Sequence, residues 1–263
     1  MGFPRFKRKG QHDSFTLEGT IKIEHSAIQL PKLGILKTYE RLPQGLTPKT
    51  AIISRTADRW FVSFSYEIEP TTTAKLVAAC GVDLGIKTLA TLSTGETFPS
   101  PQPYRQSQTR LARLQKAASR KVKGSRNRHK ANMKVAKQHA KTAKIRKDTL
   151  NKLTTHLAKN HSQVVIEDLN VSGMLANHCL AKSIADLGMY EFRRQLAYKC
   201  ELYGSELIIV NRFFPSSKTC SCCGHIQDMP LQERVFNCQQ CRTSIDRDLN
   251  AALNLQRQAL AVA

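Results

Sequence analysis

The sequence predicts an α/β protein: a small β module first, then a sheet with helices packed on it, interrupted near the C-terminus by a metal-stapled knuckle. Three observations predict it. Period-two apolar runs fill the first 75 of 263 residues, buried-type strands then alternate with helical segments, and four cysteines stand in two C-x2-C pairs before the last helix.

In the β module, Trp60, Val62, Phe64, Tyr66 and Ile68 alternate with Phe61, Ser63, Ser65 and Glu67, a strand with one largely polar face. Shorter strands are expected at 15–17, 21–23, 28–30 and 51–54, punctuated by Gly19, Gly34 and Gly45, and together they predict a barrel-like unit. A second block starts at Lys75. Its apolar run Leu76-Val77-Ala78-Ala79-Cys80-Gly81-Val82 ends in Asp83, and after Gly85 a strand returns over 88–92 to the turn Ser93-Thr94-Gly95-Glu96.

A basic segment follows. Between Arg105 and Lys152 there are 17 Lys and Arg against the single acid Asp148. Met133, Ala136, Ala140, Ala143, Leu150, Leu153 and Leu157 keep three–four spacing through it, so a helix with a narrow apolar stripe is expected. Leu111, Leu114, Ala118 and Val122 predict a shorter partner helix, with Gly124-Ser125 as the turn. Then comes the strand Val164-Val165-Ile166-Glu167-Asp168, a helix over 183–202, a strand over 206–210 and a final helix over 246–260.

The net charge of +21 calls for a polyanionic partner, of which nucleic acid is the commonest. A solvated basic helix without a ligand would explain the segment equally simply, but so lopsided a surface repels itself unless phosphates neutralise it. No apolar run is long enough to span a membrane, and Met1–Lys9 lacks the apolar stretch of a signal peptide. With Cys80, Cys179 and Cys200 scattered as free thiols, a reducing, cytoplasmic setting is expected.

Cys220 and Cys223 form one pair, Cys238 and Cys241 the other, with 14 residues between them. A loop of about thirty residues has too little core to hold itself, and four thiolates on two tight turns suit a tetrahedral Zn²⁺. Two disulfides would fit the same count, but nothing indicates secretion. Cys222 is surplus, a neighbour rather than a ligand. Such closed sites are structural, so chemistry is expected elsewhere. Acids stand at three element ends: Asp83, Glu167, and Asp246 or Asp248 at a helix start. Gathered on a basic protein, they would hold two Mg²⁺ against a phosphodiester; taken singly, each could be a turn residue or a helix cap.

The runs Gly81-Val82-Asp83-Leu84-Gly85-Ile86-Lys87, Val165-Ile166-Glu167-Asp168-Leu169-Asn170-Val171, Phe214-Pro215-Ser216-Ser217-Lys218-Thr219-Cys220 and Asp246-Arg247-Asp248-Leu249-Asn250-Ala251-Ala252 resemble the TnpB (OrfB-type) transposon-encoded proteins, relatives of the type V CRISPR effectors. The resemblance covers nearly the whole chain. It implies a partial wedge β-barrel at 1–75, a RuvC-like, RNase H-type nuclease domain at 76–215 with the basic hairpin at 105–160, a zinc ribbon at 216–245, and a last RuvC-like helix at 246–263. Asp83, Glu167 and Asp248 would then be the catalytic, Mg²⁺-holding carboxylates, since the family keeps the third acid two positions before Asn. Asp246 becomes a cap or supporting residue, Asp168 a neighbour, and Cys220, Cys223, Cys238 and Cys241 the zinc ligands. The implied activity is hydrolysis of DNA guided by an RNA from the transposon end.

Family members usually carry a further N-terminal helical segment and the start of the wedge, which help to read target DNA and hold the guide. This chain opens at Phe3-Pro4-Arg5-Phe6-Lys7, already inside the wedge, so the expectation is a complete acid set on a shortened recognition module. Three rival readings follow. A DNA- or RNA-binding remnant that regulates transposition fits the short start. A structure-specific resolvase has no use for the ribbon, and DDE transposases do not share these motifs.

Overall fold

The computed structural model describes residues 13–230 and 232–262, so the expectations for Met1–Lys9 lie outside the described residues. Two compact units divide the chain: one runs up to Glu69 and takes in Arg110–Lys141, the other is Pro70–Thr109 with Thr142 onward.

The first unit carries β1 (Ser14–Glu18), β2 (Lys22–Glu24), β3 (Ala27–Leu30), β4 (Gly34–Lys37), β5 (Thr50–Thr56) and β6 (Arg59–Phe64). These strands pair as two antiparallel sheets, β1-β5-β6 and β2-β3-β4. Ile21, Ile28, Leu30, Ala51 and Ile53 form their common core. Where a small barrel was expected, no ladder joins the two sheets among the described residues. β6 also stops at Phe64 rather than Ile68; Tyr66 and Ile68 continue the alternation but are exposed, with no neighbouring strand to pair them. β4 escapes the sequence pattern because every one of its residues is exposed.

The second unit begins with β7 (Val77–Leu84), β8 (Thr88–Leu92) and β9 (Thr97–Pro99). The hairpin helices α1 (Pro103–Ser119) and α2 (Arg126–Asn160) follow, and their residues divide between the two units. After them come β10 (His161–Glu167), α3 (Val171–Ala176), α4 (Ala181–Leu187), α5 (Met189–Tyr203), β11 (Glu206–Val210), β12 (Val235–Asn237), β13 (Ser244–Asp246) and α6 (Arg247–Val262). Five strands make one sheet in the order β11-β10-β7-β8-β9. The β11, β10 and β7 strands are parallel, whereas β8 and β9 return antiparallel.

Alternation along the strands sorts the two faces. Cys80, Val82, Val164 and Ile166 point into the larger core with Leu150, Leu153 and Leu157 of α2, Ile184 of α4, and Phe192 and Leu196 of α5. Ala79 and Val165 point the other way, against Leu255 and Ala259 of α6. An α/β sheet covered on both faces is what the chain forms. Two helical details depart from the sequence pattern. The helix expected over 183–202 is broken at Gly188, whose φ of 73° ends α4 with its N–H on the Ile184 carbonyl. In α2 the apolar stripe is buried only toward the C-terminal end, at Leu150, Leu153, Leu157 and Ala158, while Ala143 is exposed.

One residue fixes how closely α6 meets the sheet. A Cβ on Gly81 would stand 1.9 Å from the carbonyl oxygen of Ala252 and 2.6 Å from the amide of Gln256. No side chain fits there, and neither atom can swing aside because both belong to a helix backbone. Beside it, Gln256 Nε2 donates to the Ala79 carbonyl at 2.9 Å, sealing the contact. Gly81→Ala is therefore expected to push α6 off β7 and to lower stability by about 3 kcal/mol or more, at the upper end of overpacking losses. Urea unfolding of the two proteins checks this, and equal midpoints would show that the helix seat is not rigid.

Candidate functional site

In the parallel pair β7–β10, Val165 lies opposite Gly81 and Ile166 opposite Val82. One residue further along each strand are Asp83 and Glu167, at the C-terminal ends of strands roughly 4.8 Å apart. Alternation puts both on the α6 face. Asp248 sits in the first turn of α6, and its Oδ2 lies 3.9 Å from where a Cβ on Gly85 would be. The fold thus brings the three acids singled out in the sequence to one end of one sheet face. Asp246 has a different place. As the last residue of β13 it accepts, through Oδ1, the amides of Asp248 and Leu249, both at 3.0 Å, which is an N-cap. Asp168 is turned away to arginines: Arg193 Nη1 donates to it at 2.6 Å and Arg212 Nε at 3.1 Å.

The electrostatics are those of like charges held together. Burial, then the charges of Asp248 and Glu167, push the Asp83 carboxyl up to about 7, against some relief from Arg247. Burial also raises Glu167, partly offset by a hydrogen bond from Ser216. Asp248 is raised by burial and by Asp246, with Arg234 and Arg247 opposing. Hard oxygen donors with so little compensating charge suit divalent cations such as Mg²⁺. Among the described residues, the four cysteines are the group whose ligand atoms all lie within 4.8 Å of one another.

The cysteines make two matching turns. Cys220 accepts the Gly224 amide on its carbonyl and donates its own amide to His225, and Cys238 does the same with Arg242 and Thr243. The residue after each second cysteine is left-handed: Gly224 at φ 79° and Arg242 at φ 60°. Only the first turn uses glycine, so the second bears roughly 1 kcal/mol of backbone strain. Cys220 and Cys241 sulfurs are 3.6 Å apart, as are those of Cys223 and Cys238. These are too long for disulfides and close to the edge of a tetrahedral thiolate site, about 3.8 Å for metal–sulfur bonds near 2.3 Å. Against the pull of the His225 amide, burial and the neighbouring thiols lift the Cys223 thiol to about 12, while hydrogen bonds from Thr243 draw Cys241 down to about 6. A central cation would let all four ionise. Cys222 is exposed and outside the cluster.

A short strap ties these parts together. Two buried asparagines of α6 reach it: Asn250 accepts the Ser221 amide at 2.8 Å and donates to the Thr219 carbonyl at 2.7 Å, and Asn254 donates to the Ser216 carbonyl at 2.8 Å. The same Ser216 stands near enough to Glu167 to oppose the rise of its carboxyl. Residues 216–221 therefore touch one acid, the helix bearing another, and the first cysteine turn. Sequence reading missed Ser216, Asn250 and Asn254. The signal was available: two asparagines four apart, within the otherwise apolar Leu249–Leu255, mark a buried polar row. It missed as well the stripe Arg126, Lys130, Lys134, Lys137 and Lys141, whose three- and four-residue steps place exposed bases on one side of α2.

Comparison with known proteins places this arrangement. Residues 63–178 match the OrfB/IS605 family model described as "Probable transposase", and residues 190–255 match a "Cas12f1-like, TNB domain". Over 99% of its length the chain is 37% identical to the "Putative RNA-guided DNA endonuclease InsQ" of Escherichia coli (strain K12), spanning 69% of that protein. It belongs to the TnpB (OrfB-type) transposase family. A second TnpB-type relative, a "Putative RNA-guided DNA endonuclease" of Streptomyces pristinaespiralis, is 46% identical over 84% of this chain, which spans 55% of that protein. The chain thus covers about half to two thirds of the curated TnpB-type relatives it matches. A chain in the cryo-EM structure of a Cas12f1–sgRNA–target DNA complex shares the fold, with a TM-score of 0.57 and 19% identity, over 80% of this chain and 46% of that one. No described helix is long and apolar enough to cross a membrane.

The charge conflict at Asp83 has a stability signature. A folded-state value near 7, against 3.8 for a free side chain, means the native state holds this proton more tightly than the unfolded chain. Stability without divalent metal should therefore fall as pH rises from about 4 to above 7, by roughly 2–4 kcal/mol. Asp83→Asn lacks the titration. In chelator it should match the parent near pH 4 and exceed it by that amount near pH 8, as read by urea unfolding; equal stability at both pH values would show the charge to be relieved by water.

Proposed function

We propose that this chain is the nuclease part of an RNA-guided DNA endonuclease of the TnpB type, cutting phosphodiester bonds with Mg²⁺ held by Asp83, Glu167 and Asp248. The observation that carries the reading is the meeting of these three carboxylates, from β7, β10 and α6, at one end of a RuvC-like sheet. When bound, the ions supply a water of lowered pKa and stabilise the leaving oxygen. The residues do the positioning. Asp83 and Glu167 hold their spacing through the parallel ladder, Asp246 fixes the first turn of α6 and with it Asp248, and Ser216 stands beside Glu167.

Zinc is the ion that four cysteines with these sulfur distances would take, and it would staple the segment 216–245 as a ribbon. The domain reading follows: a partial wedge up to about residue 75, the RuvC-like part over 76–215, the ribbon, and the last RuvC-like helix from 246. DNA and a guide RNA from the transposon end are the partners, and the setting is the cytoplasm. The names of the TnpB-type relatives and the Cas12f1-like fold support this reading.

Two experiments test it. With Mg²⁺ and its guide RNA, the protein should cut target DNA, and Asp83→Ala or Glu167→Ala should each lower the rate at least a thousandfold, about 4 kcal/mol, with the fold intact by circular dichroism. Cutting that survives both substitutions would sink the assignment. The α2 stripe should contact phosphates. Replacing Lys130, Lys134 and Lys141 with Gln should weaken DNA or RNA binding and flatten the plot of log affinity against log salt by up to about 3. An unchanged slope would place the contacts on another surface.

A further inference from the structure

Next to Glu167, a cavity of about 250 Å³ opens between the loop after β10 and the first turn of α5. Its floor is apolar: Met189 is 5% exposed and Phe192 1%. Tyr190, which also lines it, is 71% exposed, a large aromatic ring left in water. Arg193 and Arg212 line the same cavity, and both are held on Asp168 rather than free to wander. An apolar floor, an exposed ring and two guanidinium groups paired with Asp168 form a poor lining for a phosphate alone. They match a base with its sugar-phosphate attached, the base entering the slot and the arginines meeting the backbone.

We infer that this cavity binds one base of the single-stranded DNA whose phosphate lies on the carboxylates, with Tyr190 as the ring on which the base stacks. Glu167, the last residue of β10, lines the cavity and belongs to the acid group, so the cavity opens at the same end of the sheet as the acids. The inference rests on the proposed nuclease reading and adds to it a contact that senses the base, not only the phosphate. Stacking of this kind tolerates any base, because every base has a π-face.

The test compares two strands of equal length and charge, oligo-deoxythymidine and a fully abasic analogue, with the full chain and Ca²⁺ in place of Mg²⁺ so that neither strand is cut. Tyr190→Ala should bind the base-bearing strand about tenfold more weakly and the abasic strand unchanged, while Tyr190→Phe keeps parent affinity for both. A loss shared equally by both strands, or no loss on either, overturns the inference. The strand-selective loss appearing in a protein that never cuts DNA would keep the base site and remove the nuclease reading. Asp83-dependent cutting with no strand-selective loss would do the reverse. Free thymidine monophosphate that competes equally well with parent and Tyr190→Ala would also count against the cavity as the binding place.

Discussion

The approach of α6 to β7 at Gly81 is the constraint on which the site depends. With the Ala252 carbonyl where a Cβ would otherwise be, α6 lies closer to the sheet than helices with side chains between them and the strands can. That seat determines where the first turn of α6 stands relative to the strand ends. Asp248 and Asp83 can interact only because the helix is this near. Gln256 binding Ala79, and Asn250 and Asn254 binding the strap, are then consequences of one register between helix and sheet. A shift of one helical turn would break all of them together.

The same nearness makes the acid end of the sheet a place of unrelieved charge. In a chain of net charge +21 the surplus of bases could have quenched it, yet Arg193 and Arg212, which line the same cavity as Glu167, are paired with Asp168. Asp168 therefore separates the functions of adjacent carboxylates: it holds Arg193 and Arg212, leaving Glu167 with a hydroxyl partner and room for a cation. Burial and repulsion raise Asp83, a cost in stability that divalent metal would offset under the proposed reading. Any dication arriving there regains that loss, so binding and folding are linked through the same carboxylates.

Much of this was legible in the sequence because it obeys short periods. The strands ending in Asp83 and Glu167 are continuous apolar runs, as strands covered on both faces must be, and α6 starts at an Asp cap. The two cysteine turns were legible from spacing. What was not legible depended on partners far along the chain. The break at Gly188 is hidden in a pattern whose apolar spacing continues through it, since α4 and α5 both face the same core. The barrel expectation is not confirmed, because it turns on ladder connectivity, which alternation does not encode: among the described residues Ile28 and Ile53 share a core from two different sheets. Ser216 looked like an ordinary loop serine because its partners, Glu167 and Asn254, are 49 residues before it and 38 after it.

The strap also gives the cysteine turns a meaning beyond local stapling. Among the described residues, segment 216–245 has a small core of its own, Cys220, Met229, Phe236 and Cys238, in which two of the four clustered cysteines take part. Yet its first turn is built into the strap that Asn250 and Asn254 hold, and its last strand, β13, runs straight into the Asp246 cap. An ordered ribbon thus presents both ends of itself to α6, one at the first acid turn and one along the helix side. A ribbon without its ion would free the backbone that Asn250 pairs, leaving that buried amide unsatisfied at roughly 1–3 kcal/mol. The four-cysteine cluster and the acid group, chemically unrelated, are in this way supported by one helix, and the placement of Asp248 inherits the order of both.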